Sequence, residues 1–239
     1  MALRVSAIIP AYNEADIIGK TIQAVSGISD VSEIMVADDG STDQTAETAR
    51  SAGADRVIVL PKNMGKGGAL NDAWSLAKGE VLLLLDADLG PSASEAAKLL
   101  EPVMSGRADM AIAVLSRSES EQPSSDGLPH LAAKSGGLGL AVKTARLGIK
   151  LLTGRRMEAP LAGPRALKRE IVERAGGFAS RFGVEVGLTI DALRMGYRVV
   201  EVPVAMVHRP SGRSLRGFLH RGGQMADILR TLGRKALRR

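Results

Sequence analysis

The chain has no cysteine. That excludes disulfides and thiolate metal sites, and it suits a reducing compartment. Aromatic residues make up only 3% of the sequence. Base-stacking platforms are therefore scarce, no nucleic-acid reading module is recognisable, and nucleic acid is not an expected partner. Long apolar runs are also missing: none approaches the roughly eighteen residues that span a bilayer. The opening MALRVSAIIPAYNE reads as a strand and a loop, without the pattern of a secretory signal. The expected location is cytoplasmic. Acids are nearly absent from the end of the chain, where Asp227 is the single carboxylate among nine Lys or Arg from His208 onward. Such a tail attracts phosphates and acidic headgroups, so peripheral contact with the inner face of a membrane is one expectation for it.

What is present suits one large soluble domain. There are 239 residues, 45% hydrophobic and 24% charged, with 27 glycines and a formal net charge of +6. Apolar runs at 5–9, 33–37, 56–60 and 81–85 read as strands, and amphipathic stretches at about 17–25, 42–52 and 70–77 read as helices between them. This alternation predicts an α/β fold with a mainly parallel, helix-covered sheet. Ligands of such sheets bind outside the carboxyl ends of the strands. Further on, 92–104 reads as a helix and 110–115 as a strand. A polar, serine-rich loop over 116–128 suggests a lid, and glycines at 136–139 suggest a hinge. Helices are expected over 141–152, 165–175 and 184–195, and a strand over 198–204. The last stretch carries Leu215, Phe218, Leu219, Met225, Leu229 and Leu232 at helical spacing. That apolar stripe either packs on this domain or a partner subunit, or lies on an anionic membrane.

Candidate chemistry gathers in the loops after the strands. Glu14, Asp38, Asp39, Asp86 and Asp88 all follow parallel strands and are expected at one sheet rim. Like charges at close range are costly without a cation or proton between them. Asp86 and Asp88 are one residue apart, so in an extended segment both side chains face one way. Two hard oxygen ligands there suit Mg²⁺ or Mn²⁺, and an Asp-rich turn is the plain alternative. Ser41 or Thr42 is the expected cap of the second helix. Glycines and Lys66 in NMGKGG precede a helix, an arrangement suited to phosphate oxygens or simply to a turn. His208 reads as a metal ligand or a structural histidine, and Arg209 as a fork for a diphosphate.

Together, IIPAYNEADIIGKTI, VADDGSTDQT, NMGKGGALN and LLLLDADL resemble the family 2 glycosyltransferases in order and spacing, over roughly Val5 to Phe218. The resemblance implies a GT-A fold, a Rossmann-like mainly parallel sheet with helices on both faces and a C-terminal acceptor-side extension. It divides one continuous domain into a nucleotide-sugar-binding half at 1–115 and an acceptor-side half at 116–213. The latter holds a flexible loop at 116–139, and a basic amphipathic helix follows at 214–239. It implies sugar transfer from a nucleotide sugar with Mg²⁺ or Mn²⁺ as cofactor. Pro10, Ala11, Tyr12 and Glu14 would line the nucleotide pocket, Asp38 and Asp39 would face the base, and Lys66 would approach the nucleotide. Asp86, Ala87 and Asp88 would form the metal–diphosphate motif.

FGVEVGLTIDALRMG is similar to the glucosyl-3-phosphoglycerate synthase branch. That likeness implies Glu185 and Asp88 as catalytic residues, with His208 joining Asp88 and Asp86 at the metal. LAGPRALKREIVERAGGF and HRPSGRSLRGF resemble the dolichyl- and polyprenyl-phosphate sugar synthases and imply Arg209 with Arg213 or Arg216 at the diphosphate. Two positions depart from the first branch: no arginine follows the glycine cluster at 136–140, and Met206 stands where that branch has one. The expected reaction moves a hexose, with UDP-glucose favoured as donor, to an anionic small-molecule acceptor. A lipid-phosphate acceptor is the alternative, and homodimerisation is compatible with either. From other classes, a sugar-1-phosphate nucleotidyltransferase and a non-catalytic binding protein are the competing readings.

Overall fold

The computed structural model describes residues 3–115, 138–179, 183–208 and 215–237. The expected lid and hinge at 116–137 lie outside the described residues, as do Arg209 and Arg213. Among the described residues, seven strands form one sheet in the order β3-β2-β1-β4-β6-β5-β7. They are β1 (Val5–Ala11), β2 (Val31–Asp38), β3 (Arg56–Val59), β4 (Val81–Leu84), β5 (Met110–Leu115), β6 (Arg165–Lys168) and β7 (Val199–Val204). β1 pairs in parallel with both β2 and β4, β2 with β3, and β5 with β7. Only β6 runs against its neighbours β4 and β5.

Strand periodicity explains the layering. Side chains alternate between faces, so each buried strand feeds two cores. Ile8, Met35, Leu82, Leu84, Met110 and Leu167 point to one layer. Ile9, Val36, Leu83, Ala111 and Ala166 point to the other. The first layer is covered by α3 (Lys66–Trp74), α5 (Leu138–Thr153), α6 (Arg169–Ala175), α7 (Val184–Arg194) and α8 (Leu215–Leu237). The second is covered by α1 (Ile18–Ser26), α2 (Thr45–Ser51), a 3₁₀ segment (Ala87–Ala96) and α4 (Ala97–Met104). The alternating α/β architecture read from the sequence is therefore present.

Three expectations are corrected. Residues 165–175 are not one helix: Arg165–Lys168 is the antiparallel strand β6, and the helix begins at Arg169. Four residues are too few to display a period, and β6 owes its extension to strands on both sides. The cap of α2 is not Ser41 or Thr42. The helix begins at Thr45, whose amide donates to Asp43 Oδ1 at 3.0 Å. Ser41 and the Thr42 amide are engaged instead with Asn13. Finally, α5 begins at Leu138, inside the stretch expected to be loop through 139.

The chain is helical from Leu215 to Leu237, and its described apolar residues divide: Met225, Ile228 and Leu232 turn inward, whereas Leu229 and Leu237 are exposed. Ile228 is fully buried, and Met225 and Leu232 pack against the same core. Leu232 lies so close to Gly148 of α5 that a β-carbon there would collide with it. Of the expected stripe, Met225 and Leu232 thus pack on this domain, and Leu229 faces outward. No helix among the described residues is long and apolar enough to cross one.

Candidate active site

The strand order sets the place. From β1 the chain moves outward to β2 and β3, then returns to β4 on the other side of β1. The crevice at such a switch point opens at the carboxyl ends of β1 and β4. A cleft of about 350 Å³ lies there, lined by Pro10, Ala11, Tyr12, Glu14, Asp39, Lys66, Asp86, Ala87, Asp88 and His208. Each of these was singled out from the sequence. Larger concavities exist elsewhere, but their walls lack these strand-end acids.

One wall is held by side-chain-to-backbone bonds between adjacent loops. Asn13 takes a left-handed backbone, φ 56°, a region that asparagine tolerates better than most residues. Its Oδ1 accepts the Thr42 amide at 2.8 Å, and its own amide donates to Ser41 Oγ at 2.9 Å. The Glu14 amide donates to Thr45 Oγ1 at 2.8 Å. Asp38 is buried and accepts the Ser41 amide at 2.8 Å, so it braces the turn and is not among the cleft-lining residues. Asp39 accepts the amides of Met64 and Gly65 at 2.6 and 2.8 Å. Burial raises its carboxyl above the ordinary range, partly opposed by those two amides. Two amides of the glycine-rich loop are therefore engaged by Asp39, rather than facing the cleft as a phosphate cradle.

The opposite wall follows β4. Asp86 Oδ1 lies 2.6 Å from Lys66 Nζ, and Glu185 Oε1 lies 2.9 Å from the same ammonium. Burial disfavours the charge on Lys66, but Asp86 and Glu185 outweigh it and hold the ammonium well above its ordinary range. Burial likewise pushes Asp86 up, and Lys66 beside it prevails, leaving the carboxyl low. Lys66 and Asp86 are therefore both charged at neutral pH. Glu185 sits in the first turn of α7, a position the helix dipole also favours for an anion.

The Asp86–Asp88 turn is fixed from α1. Thr21 Oγ1 donates to the Ala87 carbonyl at 2.7 Å and accepts the Gly90 amide at 2.8 Å. His208 reaches this turn from a distant part of the sequence. The Val207 amide donates to Ser92 Oγ at 3.0 Å and the Ala205 amide to Glu95 Oε2 at 2.9 Å, tying the segment after β7 to the helices after β4. His208 Nδ1 then lies 3.0 Å from Asp88 Oδ1, and Nε2 lies 3.9 Å from Asp86 Oδ2. The hydrogen bond to Asp88 raises the imidazole's pKa, against the effect of burial.

Two positions that contact the site escaped the sequence reading. A β-carbon on Gly163 would collide with the Asp86 carboxylate and stand 2.7 Å from Lys66 Nζ. Arg165 is 1% exposed, and burial lowers its pKa. Its guanidinium donates to the carbonyls of Ala162, Gly163 and Glu185. It therefore ties the Gly163 turn to the start of α7 and sets Glu185 against Lys66. The only cue was LAGPR itself, where a glycine and an arginine flank a proline.

The model of Glycosyl transferase family 2 matches residues 6–138. The chain belongs to that family. Glucosyl-3-phosphoglycerate synthase of Mycolicibacterium paratuberculosis is a relative, 32% identical over 208 residues, covering 80% of this chain and 61% of the relative. This family 2 chain thus spans about three fifths of that relative's length. Undecaprenyl-phosphate 4-deoxy-4-formamido-L-arabinose transferase of Pectobacterium carotovorum is 29% identical over 243 residues, 98% of this chain and 69% of the relative. Among solved structures, a crystal structure of Mycobacterium tuberculosis glucosyl-3-phosphoglycerate synthase with Mn²⁺, UDP and phosphoglyceric acid matches with a TM-score of 0.75 at 26% identity. It covers 98% of this chain and 78% of that one. The family 2 fold is accordingly GT-A.

Proposed function

We propose that this chain moves a hexose from a nucleotide sugar, UDP-glucose, to a small anionic or phosphate-bearing acceptor. The single observation behind this reading is the cleft at the β1/β4 switch, whose ten lining residues combine a nucleotide-sized crevice with carboxylates and a histidine. The M. tuberculosis neighbour in its complex with UDP-glucose, Mn²⁺ and phosphoglyceric acid supports the donor and the acceptor class.

A divalent ion fits the residues present. Asp88 Oδ1 and His208 Nδ1 stand 3.0 Å apart. Two ligands at right angles, each about 2.1 Å from an octahedral Mg²⁺, are separated by about the same distance. Asp86 is engaged by Lys66, and no group of three potential ligands stands ready-made among the described residues. Asp88 and His208 would therefore anchor Mg²⁺ or Mn²⁺, with diphosphate oxygens and water completing the shell. The ion, when bound, supplies Lewis-acid stabilisation of the departing diphosphate.

The chain's own groups do the rest. Tyr12 and Asp39, on the β1 side, receive the nucleoside. Lys66, fixed by Asp86 and Glu185, presents positive charge toward the diphosphate. Glu185, paired with that ammonium, orients the sugar and the acceptor. The acceptor oxygen bonds to the anomeric carbon as the bond from that carbon to the diphosphate oxygen breaks. A phosphate oxygen arrives already ionised, whereas a hydroxyl must lose its proton to a base or to the leaving phosphate.

A lipid-phosphate acceptor is the second reading, supported by the undecaprenyl-phosphate relative matching 98% of this chain. The experiment is to incubate the protein with Mn²⁺, UDP-glucose or GDP-mannose, and 3-phosphoglycerate or a short polyprenyl phosphate. UDP release dependent on 3-phosphoglycerate and lost in Asp88→Asn supports the first reading. Release that depends only on the lipid selects the second. Pyrophosphate formed from a sugar phosphate and a nucleoside triphosphate, without transfer, would overturn both.

A further inference from the structure

A feature that the cleft does not explain lies on α5. Residues 127–157 contain no acid but include Lys134, Lys143, Arg146, Lys150, Arg155 and Arg156. The helix turns Ala141, Ala145 and Ile149 into the core. It leaves Leu140, Leu147 and Leu151 exposed by 63, 57 and 74%. At about 100° per residue these three leucines fall within about 40° of arc, a continuous outward stripe. Lys143, Arg146 and Lys150 form the adjacent stripe on one side. On the other side α8 closes the surface, with Leu232 against Gly148.

The cationic stripe borders a cleft of about 740 Å³ that runs from α5 to Arg156 and Glu201. Two acids also line this cleft, Glu158 and Glu201; the Glu201 carboxylate accepts the amides of Glu158 and Ala159 at 2.9 and 2.6 Å, and the Glu158 carbonyl accepts from the Arg146 guanidinium. Among the described residues, no ion pair engages Lys143, Lys150 or Arg156. Isolated surface leucines need no explanation, but a leucine stripe beside unneutralised cations does.

We propose that the outer face of α5 docks this protein on an anionic lipid surface, with Leu140, Leu147 and Leu151 entering the headgroup boundary and Lys143, Arg146, Lys150 and Arg156 meeting lipid phosphates. Apolar residues flanked by Lys and Arg are the composition that binds such a surface. A second copy of the chain fits less well, because a two-fold contact sets the same patch against itself and brings like charges together. The face is separate from the terminal helix to which the sequence pointed, and it holds whichever acceptor the cleft takes.

The test is co-sedimentation of the full chain with vesicles of phosphatidylcholine alone or mixed equally with phosphatidylglycerol, at low and high salt. The wild type should partition onto the anionic vesicles only, and salt should weaken it. Lys143→Glu/Lys150→Glu and Leu147→Glu/Leu151→Glu should each lower the partition coefficient at least about thirty-fold, two cation or two leucine contributions being lost. Lys20→Glu/Lys98→Glu, an equal charge change on the opposite face of the sheet, should retain binding within several-fold. Melting temperatures should stay near wild type, and Leu147→Ser/Leu151→Ser replaces the glutamate pair if that pair unfolds. The proposal fails if wild type ignores anionic vesicles, or if the opposite-face variant loses as much. It also fails if only Arg230→Glu/Arg234→Glu on α8 abolishes binding, or if the leucine variants merely disperse a dimer.

Discussion

The half of the sheet built by β1 to β4 differs from the half built by β5 to β7 in how its site residues are held. In the first half, neighbouring loops brace one another: Asn13 to Thr42, Glu14 to Thr45, Asp39 to Met64 and Gly65. Each partner follows the next strand in sequence or nearly so. In the second half, single side chains are delivered across long separations. Glu185 and Gly163 come to Lys66 and Asp86, and His208 comes to Asp88 from 120 residues away. Under the proposed function, the first arrangement frames the nucleotide sugar, and the second hangs the groups nearest the acceptor on few contacts.

That contrast can be broken most severely at the shared boundary. Gly163→Ala should cut kcat/KM by about a hundredfold or more, because a displaced reacting group of even 1 Å has that effect. Its circular dichroism should remain native. Steady-state kinetics check this, and an unchanged kcat/KM would mean that the tight turn does not position Asp86 and Lys66.

Next comes Asp109, which joins the second half together. Its carboxylate bonds Arg198 at 2.8 and 3.1 Å and lies 2.8 Å from Lys168. The Arg198 hydrogen bonds, followed by those of Lys168, hold its pKa well below the ordinary carboxylate value despite burial. Asp109→Ala should lose about 1–3 kcal/mol at pH 7 by urea unfolding. A depressed folded pKa stabilises the protein above the unfolded value of about 3.9, and the benefit disappears as pH falls through the folded value. The gap between wild type and variant should therefore be constant from pH 8 to 5 and shrink below about pH 4.

A smaller effect should come from Thr21→Val. This buried hydroxyl joins α1 to the Ala87 carbonyl and the Gly90 amide. Losing both bonds at nearly constant volume should cost about 1–3 kcal/mol and raise the Mn²⁺ concentration needed for half-maximal activity. The smallest change expected is from Asn13→Gly, which keeps the left-handed backbone but removes the Thr42 brace. About 1 kcal/mol of stability and a modest rise in donor KM should result.

The same contrast explains what the sequence revealed. The strand-end motifs of the first half were legible because each is a contiguous stretch, and parallel topology alone brings their ends together. His208 was legible locally as a metal ligand or a structural histidine, and only the family resemblance put it beside Asp88. Gly163 and Arg165 were not, because nothing local marks a glycine as the neighbour of a distant carboxylate or an arginine as buried. β6 was missed for the same reason, since its extended form depends on pairing with β4 and β5. Asp38 and Asp39 looked equivalent in sequence, yet adjacent positions on an extended segment face opposite ways, so one lines the cleft and the other braces a turn. The terminal helix was recognised as amphipathic, but the contact of its Leu232 with Gly148 of α5 was not legible, because nothing in the sequence paired these two helices.

The account rests on a nucleotide sugar held at the β1/β4 switch with a dication anchored by Asp88 and His208. Titration calorimetry of UDP-glucose into the protein, with and without Mn²⁺, tests this most directly when repeated on His208→Ala. The expected result is binding that strengthens at least tenfold with Mn²⁺ in the wild type and does not respond to Mn²⁺ in the variant. Identical heats for both proteins, or no heat from any nucleotide sugar, would contradict it.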